Sequence, residues 1–171
     1  MNFIDISYYE SPVGELILGA YENKLVLCDW RYRAMRDAID KRVTRFFNAQ
    51  YLEELHPLHT ETIAQLDAYF LKNRKDFDIP LALAGTDFQI QVWNQLLKIP
   101  FGSRTTYSRF SELLENPKAV RAIGTAIGAN AHSIIIPCHR VVGKNNELVG
   151  YAGGLEAKSK LLTLEGQLSL F

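Results

Sequence analysis

Only two cysteines occur in the 171 residues, Cys28 and Cys138, far apart and outside any CxxC spacing. A disulfide framework or a four-ligand zinc site needs more thiols at closer spacing, so neither is expected. With both thiols expected to be reduced, the default compartment is the cytoplasm. No apolar run approaches the roughly 18 residues that a membrane-spanning helix needs, and no membrane association is expected. The opening MNFIDISYYE lacks the basic and apolar regions of a secretory signal. Repeats and low-complexity stretches are absent. Net charge is absent too, nineteen lysines and arginines balancing nineteen aspartates and glutamates. Taken whole, such a chain is an unpromising nucleic-acid binder.

What is present is an ordinary globular composition, 47% hydrophobic and 22% charged, in a length that suits one domain or two small ones packed together. The charge is unevenly spread. Residues 1–84 carry ten Lys/Arg against thirteen Asp/Glu, and residues 85–171 carry nine against six. That pattern is compatible with a nucleic-acid surface on the second half, and equally with a solvated, slightly basic face.

Residues 1–30 read as short strands in an antiparallel meander. Phe3, Ile4, Ile6 and Tyr8 precede a Ser11-Pro12 break, and ELILG (15–19) joins KLVLCDW (24–30) across residues 21–23. Met35, Ile39, Val43 and Phe46/Phe47 recur at spacings of three and four, which predicts a helix over 33–47. Ile63, Leu66, Tyr69 and Phe70 predict a second over 60–72. Residues 48–59, with His56, Pro57 and His59, are expected to form a connection. Asp76 to Ala84 is expected to be extended and to lead to a domain boundary near Gly85.

Beyond that boundary the pattern turns helical. Thr86 followed by Gln89 fits a capping box, with Phe88, Val92, Leu96 and Leu97 as the buried stripe. Pro100 and Gly102 end that helix. Ser108 is the expected cap of a short helix reaching Leu114. Asn116-Pro117 has the form of an N-cap with proline at the first helical position, starting a helix through Val120, Ile123 and Ile127 to Gly128. Two short helices around a turn suit a helix-turn-helix, or any other helical hairpin. Ile134 to Ile136 reads as a short buried strand by its β-branched run. A last helix from Leu155 to Gly166 is expected to pack through Leu155, Leu161, Leu162 and Leu164.

Cys138 follows that isoleucine run and Pro137, and stands beside His139 and Arg140. A thiol attacks as its thiolate, and a neighbouring base or positive charge favours that form. Pro137 restricts the turn that would present the sulfur. The same context also suits a buried structural cysteine. Cys28, among Leu25, Val26 and Leu27 of a strand, suits only the structural role.

Ile134 to Val142 (IIIPCHRVV) resembles the active-site signature of the O6-alkylguanine-DNA alkyltransferases, the methylated-DNA–protein-cysteine methyltransferases. Gly85-Thr86 with Phe88-Gln89, Val92-Trp93, Ile99-Pro100, Tyr107-Ser108, NPKAVRAIG (116–124), Asn130 and GYAGGLEAKSKLLTLEG (150–166) are similar to further motifs of that family, in the same order. The resemblance implies an α+β protein. Residues 1–84 would form a small N-terminal α/β domain of ribonuclease-H-like type with an antiparallel sheet. Residues 85–171 would form a mainly helical domain with a helix-turn-helix, binding DNA and accepting the alkyl group.

The implied reaction moves an alkyl group from O6 of guanine, with O4-alkylthymine as a further candidate, onto Cys138 in one irreversible turnover. Cys138 would be the nucleophile, His139 the base acting through a water, and Glu165 the group that orients the imidazole. Asn130 would tie the recognition helix to the active-site turn. Tyr107 would donate a proton or hydrogen bond to the departing base. Arg121 would fill the gap left by the extruded nucleotide, on the minor-groove helix that also carries Lys118. Tyr151 and Ala152 would line the pocket, and Val141 would add backbone contacts there. The implied partner is double-stranded DNA with an alkylated guanine. The protein is expected to be a monomer with no cofactor and no metal.

The chain departs from many relatives at Ile127, Ala129 and Ala131, where Asn, Arg and Pro occur, and at Ala152, where some carry a hydroxyl. A phosphate contact and some rigidity before the active-site turn are expected to be missing. Three competing readings follow. A damage sensor would flip the base without reacting, but such relatives replace the cysteine that is present here as Cys138. A cysteine hydrolase pairing Cys138 with His132 or His139 would leave Tyr107 and Arg121 without a part. A helix-turn-helix regulator would need a sensor domain for which the chain has no room.

Overall fold

The computed structural model of the chain describes residues 1–166 and the backbone of 169–170. It divides into two compact units, Met1–Gly85 and the residues from Thr86 onward.

The first unit is built on a four-stranded sheet. Strands β1 (Asn2–Ser11), β2 (Gly14–Tyr21) and β3 (Lys24–Trp30) form the expected antiparallel meander. Glu22 and Asn23, with φ of 48° and 61°, make the two-residue turn between β2 and β3. Positive φ at both turn positions gives the twist that suits flanking strands. Ile4, Leu16, Leu18, Leu25 and Leu27 are fully buried, each worth roughly 1.5–3 kcal/mol of transfer free energy.

The sheet is mixed rather than wholly antiparallel. A fourth strand, β4 (Ala49–Glu53), pairs in parallel with β1 and gives the order β3-β2-β1-β4. It lies in the stretch expected to be a connection. β4 is a short edge strand whose one buried residue is Ala49, so it has no apolar alternation to betray it; backbone pairing with β1 makes it a strand.

Helices α1 (Arg36–Phe47) and α2 (Pro57–Phe70) pack on the sheet. Ile39 and Val43 hold α1 to the core, but Met35 and Phe46 are exposed, so the buried stripe is narrower than the spacing suggested. α2 starts earlier than expected because two histidines cap it. The His56 Nδ1 accepts from the Leu58 N–H at 3.0 Å, and the His59 Nδ1 accepts from the His56 N–H at 3.2 Å. Pro57 occupies the first turn, where a missing donor costs nothing. The segment after α2 runs beside β3, with Leu25 donating to the Pro80 carbonyl and accepting from Ala82.

The second unit is mainly helical. Helix α3 (Asp87–Leu96) opens with the expected capping box, Thr86 and Gln89 each accepting the other's backbone N–H. Val92, Trp93 and Leu96 are its buried face. Strand β5 (Ser103–Thr106) leads into α4 (Tyr107–Leu113), whose cap is Thr106 and not Ser108. Helix α5 (Val120–Gly128) follows after a turn and begins later than the Asn116-Pro117 pair suggested. Asn116 instead closes the turn, its carbonyl accepting from Ala119. The Trp93 indole donates to the Ala126 carbonyl at 2.9 Å and ties α3 to α5.

Ile134 to Ile136 is buried but is a turn, not a strand. Ile134 sits at φ 71°, a costly region for a β-branched residue. Beyond it come a 3-10 turn (Cys138–Arg140), strand β6 (Val141–Val142) and helix α6 (Leu155–Leu164), then strand β7 (Ser169–Leu170). β5 is central to a parallel three-stranded sheet in the order β6-β5-β7. Leu155 is 47% exposed, so α6 packs through Ala157, Leu161 and Leu162 instead. Among the described residues no helix is long and apolar enough to cross a membrane.

Candidate active site

Cys138 opens the 3-10 turn and is 6% exposed. Three backbone bonds shape the approach: Ile136 N–H to the His132 carbonyl, Cys138 N–H to the Ile136 carbonyl, and Arg140 N–H to the Pro137 carbonyl. Asn130, just past the end of α5, braces this turn with both ends of its amide. Its Nδ2 donates to the Ile136 carbonyl at 2.9 Å and its Oδ1 accepts from the His132 N–H at 2.9 Å. A buried amide satisfied on both sides holds its segment rigidly, and this bracing accounts for the unfavourable φ of Ile134.

Behind the thiol lies a buried charged cluster. The His139 Nε2 is 2.9 Å from Glu165 Oε1, and both side chains are buried. The His139 Nδ1 is buried too, with no hydrogen-bond partner among the described residues. Nε2–H donation to the carboxylate leaves the lone pair on Nδ1. Burial holds the imidazole below its ordinary pKa, outweighing the pull of Glu165, while Arg140 and Lys158 push the same way as burial. Burial alone would raise the Glu165 carboxyl, but His139 and Arg140 win and hold it down at about 2. The pair is therefore neutral imidazole and carboxylate near neutral pH.

Tyr107, the first residue of α4, is half-buried and lies where a side chain on Gly124 of α5 would touch its ring. Burial, and then Cys138, raise its phenol above the usual range, which keeps it protonated as a donor. Tyr151 meets the His139 ring edge to face at 6.4 Å. Ala152 is half-buried beside it in sequence. The Val141 side chain is fully buried and its carbonyl accepts from Lys158 at 2.6 Å. Arg121 in the first turn of α5 and Lys118 in the turn before it are both exposed, away from the buried cluster. Ile127 and Ala131 are core residues and Ala129 is half-buried.

The sequence showed Arg140 only as a charge beside Cys138, and it did not single out Lys158. Arg140 forks onto both oxygens of Glu165, at 2.9 and 2.8 Å. Lys158 is completely buried and its ammonium donates to the carbonyls of Val141, Val149 and Gly150 at 2.6, 3.0 and 3.2 Å. Burial lowers it to about 8, against an upward pull from Cys138. A signal for Lys158 was available: it lies seven residues before Glu165, on the stripe shared with Leu161 and Leu162. A charged residue on the apolar face of a helix has to be paired. Among the described residues no group of three or more His, Cys, Asp or Glu could hold a metal ion.

Residues 4–83 match the ribonuclease-like domain of 6-O-methylguanine DNA methyltransferase, and residues 87–167 match its DNA-binding domain. The methylated-DNA–protein-cysteine methyltransferase of Methanosarcina acetivorans is 40% identical over 158 residues, 92% of this chain and 96% of the relative. The chain belongs to the methylated-DNA–protein-cysteine methyltransferase family. The Mycobacterium leprae protein of that name is 40% identical over 159 residues, 91% of this chain and 88% of its own. The crystal structure of Mycobacterium tuberculosis O6-methylguanine methyltransferase has a TM-score of 0.80 at 34% identity, covering 95% of this chain and 93% of that one. The Mycobacterium tuberculosis OGT structure in complex with DNA has a TM-score of 0.79 at 32% identity, covering 98% and 95%. In a methylated-DNA–protein-cysteine methyltransferase the acceptor is a cysteine, and the two here differ sharply. Cys28 is sealed in a sheet, whereas Cys138 stands on a turn beside a histidine.

Proposed function

We propose that this chain repairs DNA by moving a methyl or larger alkyl group from O6 of guanine to the Sγ of Cys138, once per molecule. The observation that carries the reading is the Cys138 turn with the buried His139–Glu165 pair directly behind it. The thiol proton passes through a water to His139 Nδ1, and Glu165 steadies the imidazolium that forms. The thiolate attacks the alkyl carbon, the carbon–oxygen bond breaks, and a carbon–sulfur bond replaces it. Negative charge left on the guanine is met by a proton from Tyr107, and the proton on His139 restores the phenol. No cofactor takes part in this scheme.

The proposal extends to the DNA. An alkylated guanine within a duplex is out of reach, so the nucleotide is extruded from the minor-groove side at a cost of a few kcal/mol. Arg121 fills the gap and Lys118 contacts the backbone. Tyr151 and Ala152 line the pocket, Val141 adds backbone contacts there, and Asn130 keeps the turn in register. In this scheme residues 1–84 form the ribonuclease-H-like domain, residues 85–171 bind DNA, and a monomer acts in the cytoplasm. O4-alkylthymine is a further candidate substrate.

Incubation with a duplex containing O6-methylguanine, followed by mass spectrometry, tests the reading. One methyl group is expected on Cys138, saturating at about one per molecule. Demethylation of the DNA with no label on the protein would sink it. Arg121→Ala should slow reaction with duplex far more than reaction with the free base, and equal losses would remove Arg121 from the extrusion step.

A further inference from the structure

The reaction scheme leaves the buried charges of Arg140 and Lys158 without a part, and Arg140 is the one in contact with Glu165. Arg140 is 6% exposed and each nitrogen of its guanidinium donates a hydrogen bond. Nε donates to Glu165 Oε2 at 2.9 Å, Nη2 to Glu165 Oε1 at 2.8 Å, and Nη1 to the Ile99 carbonyl at 2.6 Å. The Phe101 ring lies beside it at 5.9 Å. Arg140 therefore joins the active-site turn, the end of α6 and the loop after α3. Glu165 Oε1 is shared, because it also accepts from His139 Nε2 at 2.9 Å. The carboxylate that orients the imidazole is thus the same one that the guanidinium neutralises.

That sharing decides which form of His139 exists. A buried carboxylate 2.9 Å from an imidazole, with no other cation near, draws a proton onto the ring and holds it there. An imidazolium has no lone pair on Nδ1 and cannot act as a base. With a fork-shaped cation on both carboxylate oxygens, the ring remains neutral while its orientation is kept. The groups facing His139 are Glu165 and Lys158 from α6, Arg140 and Cys138 from its own turn, and Tyr151 edge-on from the loop before α6. Of these, Glu165 alone favours the charged ring by direct contact.

We propose that Arg140 is a positioning residue of the alkyl transfer, which keeps His139 a neutral base by holding both oxygens of Glu165. The inference rests on His139 being the base of the proposed reaction. Two measurements separate the inference from that reading. Nitrogen NMR of His139, without DNA, follows its protonation directly. Single-turnover alkyl transfer from an O6-methylguanine duplex across pH follows the reaction.

In Arg140→Met, removal of the cation should raise the His139 midpoint by about one pH unit or more, and the acid limb of the rate profile should rise with it. Arg140→Lys keeps the charge and should return both toward wild type. If Arg140→Met does not fold, Arg140→Gln, which keeps one hydrogen bond without the charge, carries the same expectations. A folded neutral variant whose His139 midpoint matches wild type would overturn the role. Failure of the proposed reaction itself has a different signature, because wild-type Cys138 would then gain no methyl group whatever the NMR titration shows.

Discussion

Cys28 and Cys138 are both buried thiols beside charged residues, and their surroundings are of opposite kind. Cys28 lies in the middle of β3, fully buried, and is followed by Asp29. Burial first, and then the Asp29 charge, push its thiol far above the ordinary range. The Asp29 carboxylate is in turn held by Arg33 and Arg36, both at 3.1 Å. Cys138 stands on a turn whose next two residues are a neutral imidazole and an arginine, with a buried lysine donating to the carbonyl of Val141. Each region has a buried carboxylate gripped by arginine, but in the second unit an imidazole occupies a place that a second arginine fills in the first. In the proposed reaction that exchange turns a structural ion pair into a proton acceptor. Burial is common to both thiols, so the sign and mobility of the neighbouring charges are what would set Cys138 apart.

The largest test of this contrast is all or none. Cys138→Ser should abolish alkyl uptake, whereas Cys28→Ala should leave it within about twofold while costing about 1–2 kcal/mol for a small cavity. A Cys28→Ala variant that loses uptake in its folded state would break the contrast. Glu165→Gln comes next, and should slow alkyl transfer by roughly 10²–10⁴-fold in a single-turnover assay, the range for a displaced general base.

Asp29→Asn should act on stability instead. Arg33 would lose the buried carboxylate it pairs with, while Arg36 would keep Asp40, at about 3–5 kcal/mol in chemical denaturation. The transfer rate of the protein that remains folded should stay as in wild type. A rate loss as large as that of Glu165→Gln would mean the two clusters are not distinct in kind.

The smallest effect concerns acid. His59 and His139 are both held below their ordinary pKa, chiefly by burial, and both use a neutral ring. The unfolded chain then binds protons that the folded chain does not, so stability must fall as pH drops below about 6.5. The slope approaches about 1.4 kcal/mol per pH unit for each imidazole. Glu165, lowered to about 2, contributes above the ordinary carboxylate range and loses that contribution as pH falls from about 4.5 toward 2. Denaturation midpoints from pH 8 to 5 check the first part. His59→Gln, whose amide can still accept the His56 N–H, should flatten the slope without changing alkyl transfer.

Much of the second unit was legible because its signals are local. The Thr86–Gln89 capping box spans four residues, and IIIPCHRVV holds the proposed nucleophile and its proposed base side by side. Where expectation and structure parted, the deciding interaction was a specific hydrogen bond or strand pairing that residue type does not announce. β4 exists because β1 offers an edge. Thr106 caps α4 ahead of Ser108 because β5 delivers the chain extended to that point. The isoleucines of 134–136 are buried, as their composition demands, but Asn130 and the His132 carbonyl bend them into a turn.

By itself the sequence determined the meander and the helical character of the second half, which follow from residue type and short spacing that chain-local physics can read. The side chains proposed for a transfer to Cys138 came from its resemblance to the alkyltransferases. The expected meeting of Glu165 with His139 across 26 positions is present, but only the tertiary structure decided that Arg140 holds the same carboxylate and that Lys158 is sealed beneath the turn. The reason is that a charge takes its strength from burial and partners, and neither is a property of the residue alone. Cys28 and Cys138 are the same residue in the sequence and become different chemistry in the fold.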